Sequence, residues 1–345
     1  MANELVDLVH APHHDVLREQ RDTILAADGG TPRRVTMENL LRTMRGTCGV
    51  LALALAGCGA ETRFVSGPAA PPSPPEPVEF APYSLPESGR LSAFRPHFDR
   101  YVEVFGVHVV ATPSTDADKI RHAATILAEW IDNDEDGAPD DPAAHAALVE
   151  GGAFLVMLAT EREMERLHRR LDFDALEEAG FHIGQDLYGE ETFPTGPPHV
   201  MARGRFDAAL EEVLHLVSNG WVEAHPEALG YRPGSRLTDA MDRARGGRFR
   251  RVPRRYPEAA WYHYDDRSCD YECMAAEYLY WALTSHLGGQ DFPGRAAEIA
   301  VEWECPTPEL LAARDPAVVE LLTDPALALP RVLPDGEYRP PSRGR

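Results

Sequence analysis

The chain has 345 residues and a formal net charge of -22, because 56 acidic side chains outnumber 34 basic ones. Binding to nucleic acid and adsorption to anionic lipid both depend on basic contacts to phosphate, so this balance disfavours both. We therefore expect no nucleic-acid partner. The length allows one large domain or two small ones.

A short apolar run near the N-terminus has the layout of a bacterial lipoprotein signal peptide. Arg42 and Arg45 precede about ten apolar or small residues, which end in Leu-Ala-Gly-Cys at Cys58. The run is shorter than the roughly 20 residues that a transmembrane helix needs. It predicts a signal peptide over 37–57, a lipid on Cys58, and export to the periplasmic or outer surface of a bacterial membrane, which is then a partner. The alternative is a buried helix that ends in cysteine.

The segments on either side of this signal are expected to lie outside the folded domain. A signal peptide lies near the start of translation, so residues 1–36 are predicted to be a wrongly assigned or removed extension. Residues 58–90 include a proline-rich stretch that cannot pack a core, and they predict an extended linker. A single globular domain is predicted over 91–340.

The elements predicted for this domain follow an α+β pattern. Residues 101–112 and 152–159 have the apolar and β-branched content of buried strands. A segment with helical spacing follows each of them. The predicted helices cover 116–130, 160–171, 206–218, 237–245 and 271–286, with short helical turns after Pro308 and Pro316. The fold class is therefore α+β, with a small sheet in the N-terminal half and a mainly helical C-terminal half.

An aspartate-rich segment over 132–141 has the spacing of a loop that binds a hard cation, with Gly137 at its sixth position. It resembles an EF-hand loop between two predicted helices. Position twelve is Ala143, where an EF-hand has a bidentate acid, so we expect weak binding of the kind that suits calcium outside the cell. The alternative is a solvated acidic turn. The predicted calcium ligands are the side chains of Asp132, Asp134 and Asp136, the carbonyl of Ala138, and Asp140 directly or through water.

The helix predicted from Phe206 onward carries a second set of candidate ligands. Glu211 and His215 are one turn apart and project from the same face, and Glu212 lies between them. The apolar residues around them predict a buried helix, in which two adjacent acids are costly unless they are paired or bind a cation. The alternative is that these side chains form hydrogen bonds with arginine or tyrosine residues.

This helix resembles the His-Glu-x-x-His helix of the zincin metallopeptidases, with Glu211 in place of the first histidine. The resemblance implies a zincin-like domain in which Glu211 and His215 bind the metal and Glu212 activates water. In glutamate-type zincins the third ligand is a glutamate on a later helix, which corresponds here to Glu277. Two carboxylates and one imidazole form a chemically harder ligand set than the two imidazoles and one carboxylate of zinc peptidases. Iron or manganese would therefore compete with zinc. The chain is also similar to exported bacterial proteins that combine this helix with the Asp-Asn-Asp loop.

An aromatic segment lies between the two candidate metal helices, at residues 256–264. Tyr262, His263 or Tyr264 would donate to a developing oxyanion in a cleft, which makes His263 a candidate catalytic residue beside Glu212. The alternative is that these rings only fill the core.

Three cysteines, Cys269, Cys273 and Cys305, belong to the predicted domain. Export favours oxidation, which predicts one disulfide among the three and one remaining thiol. We favour a bond from Cys269 or Cys273 to Cys305, because a lone pair of cysteines with three residues between them is only a weak zinc signal.

These features predict a lipid-anchored, metal-dependent hydrolase that acts on peptides or proteins and contains a structural calcium loop. The alternative is a non-catalytic, calcium-binding surface lipoprotein on a degenerate zincin scaffold. The sequence has no Gly-rich phosphate loop and no dinucleotide fingerprint that would indicate another class of enzyme.

Overall fold

The computed structural model describes residues 76–341. The predicted signal peptide, the lipidation site Cys58 and the first part of the linker therefore lie outside the described residues. Within 76–341, no helix is both long enough and apolar enough to cross a bilayer.

A five-stranded mixed sheet lies in the N-terminal half, with its strands in sequence order. The first three strands pair with one another in antiparallel fashion, and the last two extend the sheet from the third strand by parallel pairing. The strands are β1 Tyr83–Ser84, β2 Arg100–Val104, β3 Val107–Ala111, β4 Phe154–Leu158 and β5 Gly184–Tyr188.

Helices connect β3 to β4 and β4 to β5, and they make up most of the regular secondary structure of the C-terminal half. The arrangement confirms the predicted α+β class, with a small sheet before a mainly helical region. The helices are α1 Ala117–Ile131, α2 Pro142–Glu150, α3 Glu161–His168, α4 Phe173–Glu178, α5 Pro197–Met201, α6 Ala209–Ala224, α7 Pro226–Leu229, α8 Arg236–Ala244, α9 Tyr271–His286, α10 Arg295–Glu298, α11 Pro308–Arg314 and α12 Pro316–Leu322.

The strand predicted over 101–112 is in fact the β2–β3 hairpin. Phe105 and Gly106 have φ angles of 50° and 81°, as the two central residues of a type I′ turn do. The hairpin register pairs Val104 with Val107. The prediction of one strand was wrong because Phe-Gly lacks the Asn or Asp that usually signals this turn.

Residues upstream of Leu91 also contribute to the fold. Strand β1 pairs with β2, and Leu85 is buried. The backbone N–H of Val78 donates to the carbonyl of Tyr338 at 2.8 Å. The chain therefore enters the folded region before the end of the predicted linker.

The sheet is covered on both faces, as the alternation of side chains along β4 shows. Leu155 and Met157 face the main core, which contains α1, α6 and α9. Phe154 faces a smaller cluster around Phe94 and Phe181. Because successive side chains of a strand point to opposite faces, a strand that is apolar throughout requires such two-sided cover.

Helix α6 is central to the main core and packs against α1, α2, α9 and β5. Its closest approach is to α2, at Gly220. A Cβ atom at this glycine would lie 2.5 Å from the carbonyl oxygen of Ala144 and 2.8 Å from Cγ of Leu148. The absence of a side chain at Gly220 therefore sets the distance between α6 and α2. This distance in turn helps to place the face of α6 that meets α9.

Candidate metal centre

Glu211, His215 and Glu277 meet in the interior between α6 and α9. One possible ligand atom from each lies within 4.8 Å of the other two. The imidazole Nε2 of His215 is 3.6 Å from Oε2 of Glu277. Glu211 and Glu277 are only 9% and 3% exposed. The structure thus brings together the three residues that the sequence singles out as ligands, and this group could hold a metal ion.

The spacing within α6 and the start of α9 explain this convergence. Residues 211 and 215 are four apart, so their side chains lie one above the other on a single face of α6. Asp270 caps α9 by accepting hydrogen bonds from the backbone N–H groups of Glu272 and Cys273, both at 3.0 Å. The cap sets where α9 begins, and Glu277 follows in its second turn.

A disulfide joins Cys269 to Cys273, with their Cα atoms 5.5 Å apart. The favoured bond to Cys305 is therefore wrong, although one disulfide does form among the described cysteines. Cys269 lies just before the Asp270 cap and Cys273 lies in the first turn, so one helical turn brings the pair into disulfide range. Cys305 is a buried thiol, and burial raises its pKa to about 12.

Buried tyrosines provide polar groups around the three side chains. Burial raises the pKa of Tyr231, Tyr262 and Tyr264, and the negative charge of Glu277 raises it further. Burial and then the charge of Glu211 have the same effect on Tyr280. The hydroxyl groups of Tyr231 and Tyr262 donate to Oγ of Ser218 and to the carbonyl of Met274, both at 2.7 Å, whereas the hydroxyl of Tyr280 is hydrogen-bonded to Glu211.

Glu212 lies at the junction of α6 with the sheet. Its Oε2 atom accepts a hydrogen bond of 2.6 Å from Nε2 of Gln185, a residue of the edge strand β5. Burial raises the pKa of Tyr188 in the same strand, and the charges of Asp186 and Glu212 raise it further. Glu212 thus adjoins the ligand pair on α6 while one of its oxygens is held at the sheet edge.

The structure does not bring His263 to the three ligands. Its Nε2 atom is 3.0 Å from the carbonyl of Ala260 and 3.9 Å from a carboxylate oxygen of Glu304. Within residues 76–341, no hydrogen bond or ion pair joins His263 to a candidate ligand. The segment is extended, so Tyr262 and Tyr264 point into the core and the intervening His263 points the other way. Tyr262 and Tyr264 are therefore the members of this segment whose pKa the charge of Glu277 raises.

A buried hydrogen bond between a histidine and an aspartate, which the sequence does not signal, fixes the start of α6. Nε2 of His122, on α1, lies 2.6 Å from Oδ2 of Asp207. Oδ1 of Asp207 accepts hydrogen bonds from the backbone N–H of Ala209 and Phe193 at 3.2 and 3.3 Å. Asp207 thereby joins the first turn of α6 to α1. An acid immediately before a helix is a recognisable capping signal, but its histidine partner is 85 residues away.

The aspartate-rich loop joins α1 to α2 and forms a helix–loop–helix. Oxygen atoms of Asp132, Asp134 and Asp136 lie within 4.8 Å of one another. Gly137 has a φ of 90°, which supports the tight turn. Burial and the charges of Asp134 and Asp132 raise the pKa of Asp140 to about 6. Ala143 lies in the first turn of α2, so no acid occupies the twelfth position. This second group could also hold a cation.

A C-terminal strap, residues 331–339, lies across this loop. Tyr338 donates its hydroxyl hydrogen to Asp132, which is fully buried. The carboxylate of Glu129 accepts hydrogen bonds from the strap backbone. The backbone donors are Asp335 and Gly336 to Glu129, Arg331 and Val332 to Asn133, and Arg339 to Glu135. The strap therefore supplies hydrogen-bond partners to the loop from about 200 residues downstream.

No protein-family model, curated protein or solved structure matches this chain. The resemblance to zincins therefore stays a prediction from the α6 and α9 residues.

The strap contact at Glu129 predicts a pH effect on stability. Burial raises the Glu129 pKa from 4.5 to about 8, against the effect of the backbone hydrogen bonds from Asp335 and Gly336. Between these two values the folded chain holds a proton that the unfolded chain releases, so stability falls as pH rises through this window. The glutamine of a Glu129→Gln variant is neutral at every pH, so this variant should not lose stability as the pH rises. We expect similar melting temperatures for variant and wild type near pH 5 and a higher one for the variant near about pH 9.

Glu150→Gln, an exposed change on α2, is the matched control and should show no such pH-dependent difference. A Glu129→Gln protein that melts below the wild type at the higher pH would contradict this account of Glu129.

Proposed function

We propose that the chain is a metal-dependent hydrolase whose metal ion is bound by Glu211, His215 and Glu277. One observation carries the proposal: three potential ligand atoms from two helices lie within 4.8 Å of one another in the protein interior. Two buried carboxylates so close together repel each other when both are ionised, and a single protonated imidazole does not balance them. A divalent cation would offset this repulsion.

The donor set limits the choice of metal. Two carboxylates and one imidazole are harder than two imidazoles and one carboxylate, so iron(II) and manganese(II) compete with zinc for this site. Three protein ligands leave coordination positions for water and substrate, as in catalytic zinc sites and unlike structural ones. The proposed centre therefore has the composition of a reactive site.

Glu212 is the candidate proton acceptor of the reaction. A cation bound here would make water more acidic and would polarise a carbonyl group. Glu212 follows Glu211 on α6, and the hydrogen bond from Gln185 orients its carboxylate. Tyr264 is buried, and the charge of Glu277 raises its pKa, so its hydroxyl is the candidate donor to a developing oxyanion.

The sheet edge favours a peptide or protein substrate. Strand β5 is the last strand of the sheet and carries Gln185, the partner of Glu212. An extended peptide can add to an edge strand through backbone hydrogen bonds, which would bring its peptide bonds past Glu212. We therefore propose peptide-bond hydrolysis as the reaction class.

A second candidate function is a calcium-binding surface protein without catalytic activity. The observation that favours it is the 2.6 Å hydrogen bond between Gln185 and Glu212, which holds one carboxylate oxygen at the sheet instead of leaving it for a water molecule. In this case the α6–α9 centre would bind a cation for stability alone.

Metal analysis and peptide cleavage of three variants separate these functions. Glu211→Gln should lose the bound metal, because it replaces a charged ligand with a neutral one. Glu212→Gln should keep the metal but cleave peptides roughly 10²–10⁴-fold more slowly, because a general base usually contributes a factor of this size. Glu223→Gln, an exposed change on the same helix, is the control and should alter neither property.

A wild-type protein that contains no metal after addition of zinc, iron(II) or manganese(II) would contradict the proposed centre. Equal cleavage by the wild type and Glu212→Gln would remove the hydrolytic role and leave the second function. Loss of metal from Glu212→Gln would mean that Glu212 is itself a ligand.

We also propose that the loop over 132–141 binds calcium and stabilises the fold. Asp134 and Asp136 are exposed, so their replacement by asparagine leaves the strap contact of Asp132 in place. A calcium-selective chelator should lower the melting temperature of the wild type, and the Asp134→Asn, Asp136→Asn double variant should not respond. Asp174→Asn, an exposed change on α4, should respond like the wild type. A wild-type melting curve that is indifferent to the chelator would exclude the site.

The proposed enzyme is exported and anchored to a bacterial membrane by a lipid on Cys58. The support is the apolar run that ends in Leu-Ala-Gly-Cys. A Cys58→Ser variant should accumulate as a precursor and lose labelling by a fatty-acid analogue. Undiminished labelling of this variant would rule out the anchor.

A further inference from the structure

A buried hydrogen-bonded chain runs from Arg295 through Gln290 and Tyr280 to Glu211. Nε of Arg295 donates to Oε1 of Gln290 at 2.7 Å, and Nε2 of Gln290 donates to the Tyr280 hydroxyl at 3.1 Å. Nη2 of Arg295 also donates to this hydroxyl, at 3.4 Å. All three side chains are buried, and the Tyr280 hydroxyl is hydrogen-bonded to Glu211. The chain therefore ends on one of the proposed metal ligands.

The donor and acceptor inventory fixes the direction of the last hydrogen bond. A tyrosine hydroxyl has one hydrogen to donate and two lone pairs that accept. Gln290 and Arg295 both donate to the Tyr280 oxygen, so its lone pairs are occupied. The remaining hydrogen points to Glu211, whose carboxylate can only accept. Tyr280 is thus a donor to the ligand and not a competitor for its oxygens.

The positive charge of Arg295 strengthens this donation. Its guanidinium lies 4.4 Å from the ring centre of Phe206, where the aromatic face favours a cation. Glu298, at the edge of the network, accepts a hydrogen bond of 3.0 Å from Nη1. Hydrogen bonds in series polarise one another, and the effect is larger in a buried site of low dielectric constant. The charge of Arg295 therefore makes the Tyr280 hydroxyl a better donor to Glu211.

The Tyr280 ring also contacts the second ligand on α6. Its centre lies 5.6 Å from the centre of the His215 imidazole, with the two planes inclined at 49°. One side chain of α9 therefore contacts both α6 ligands, Glu211 through its hydroxyl and His215 through its ring. Tyr280 lies three residues after Glu277, the third ligand, on the same helix.

We infer that Tyr280 is a positioning residue of the metal centre, which holds one carboxylate oxygen of Glu211 so that the other faces the cation. The inference rests on the proposed metal site. Partners of metal ligands usually contribute 10–100-fold to metal affinity, because they fix the orientation of the ligand before the metal binds. Arg295 and Gln290 act through Tyr280 and maintain its donation.

The same helix provides a matched control. Tyr278 is also fully buried on α9, and its hydroxyl donates to a buried carboxylate, that of Asp315. Tyr278→Phe and Tyr280→Phe thus remove the same kind of hydrogen bond from the same helix and leave the same ring. Only Tyr280→Phe removes a hydrogen bond to a proposed metal ligand, Glu211.

Cobalt(II) titration of the full chain tests the inference, because the visible spectrum of bound cobalt reports its coordination. Tyr280→Phe should weaken cobalt binding by about 10–100-fold and change the spectrum. Tyr278→Phe should lower the melting temperature of the metal-free protein to a similar degree yet keep the wild-type affinity and spectrum. Gln290→Leu removes one donor to Tyr280 and should also weaken cobalt binding, by a smaller factor. This variant tests the inference if Tyr280→Phe does not fold.

Wild-type affinity and spectrum in both Tyr280→Phe and Gln290→Leu would overturn the positioning role while the metal site stands. Equal weakening by Tyr278→Phe would also overturn it, since the effect would then be a general loss of stability. A wild-type protein that does not bind cobalt, zinc or manganese contradicts the proposed function itself, so the two failures are distinguishable.

Discussion

Two carboxylates are buried beside one imidazole between α6 and α9, and this burial limits which groups the surrounding core can contain. Charged groups in the interior are costly unless hydrogen bonds or a cation compensate them. Tyr280 donates a hydrogen bond to Glu211. This hydroxyl reduces the cost of burying Glu211, but it is neutral and does not cancel the charge. A cation would complete the compensation and also supply reactivity.

The helices that carry these groups are fixed at defined points. Helix α6 is held at its start by the His122–Asp207 pair and near its end by the close approach at Gly220. Helix α9 is held by the Asp270 cap and the adjoining disulfide. Gly336 of the C-terminal strap lies against His122, where a Cβ atom would be 2.9 Å from the imidazole Cε1. A continuous path of contacts thus links the aspartate-rich loop, through the strap and His122, to the start of α6.

Local sequence patterns predicted the candidate ligands and the helices that carry them. They did not predict the contacts between residues that are far apart in sequence. The four-residue spacing of Glu211 and His215, together with the resemblance to glutamate-type zincins that implies Glu277, identified the three residues that converge. Helix α9 has the predicted bounds Tyr271–His286. The strap, the His122–Asp207 pair and the Arg295 network join residues far apart in sequence and have no local signature. The prediction of a bond to Cys305 was wrong because the disulfide depends on the Asp270 cap, which begins α9 and brings Cys269 and Cys273 within one helical turn.

Anomalous diffraction from crystals of the full chain loaded with manganese, iron or zinc tests the central claim most directly. The account predicts a peak at about 2.0–2.2 Å from one carboxylate oxygen each of Glu211 and Glu277 and from one imidazole nitrogen of His215. The Tyr280 hydroxyl should remain hydrogen-bonded to the other oxygen of Glu211. A map with no peak at this position, while the three side chains keep the contacts that they make with one another and with the tyrosines, would contradict it.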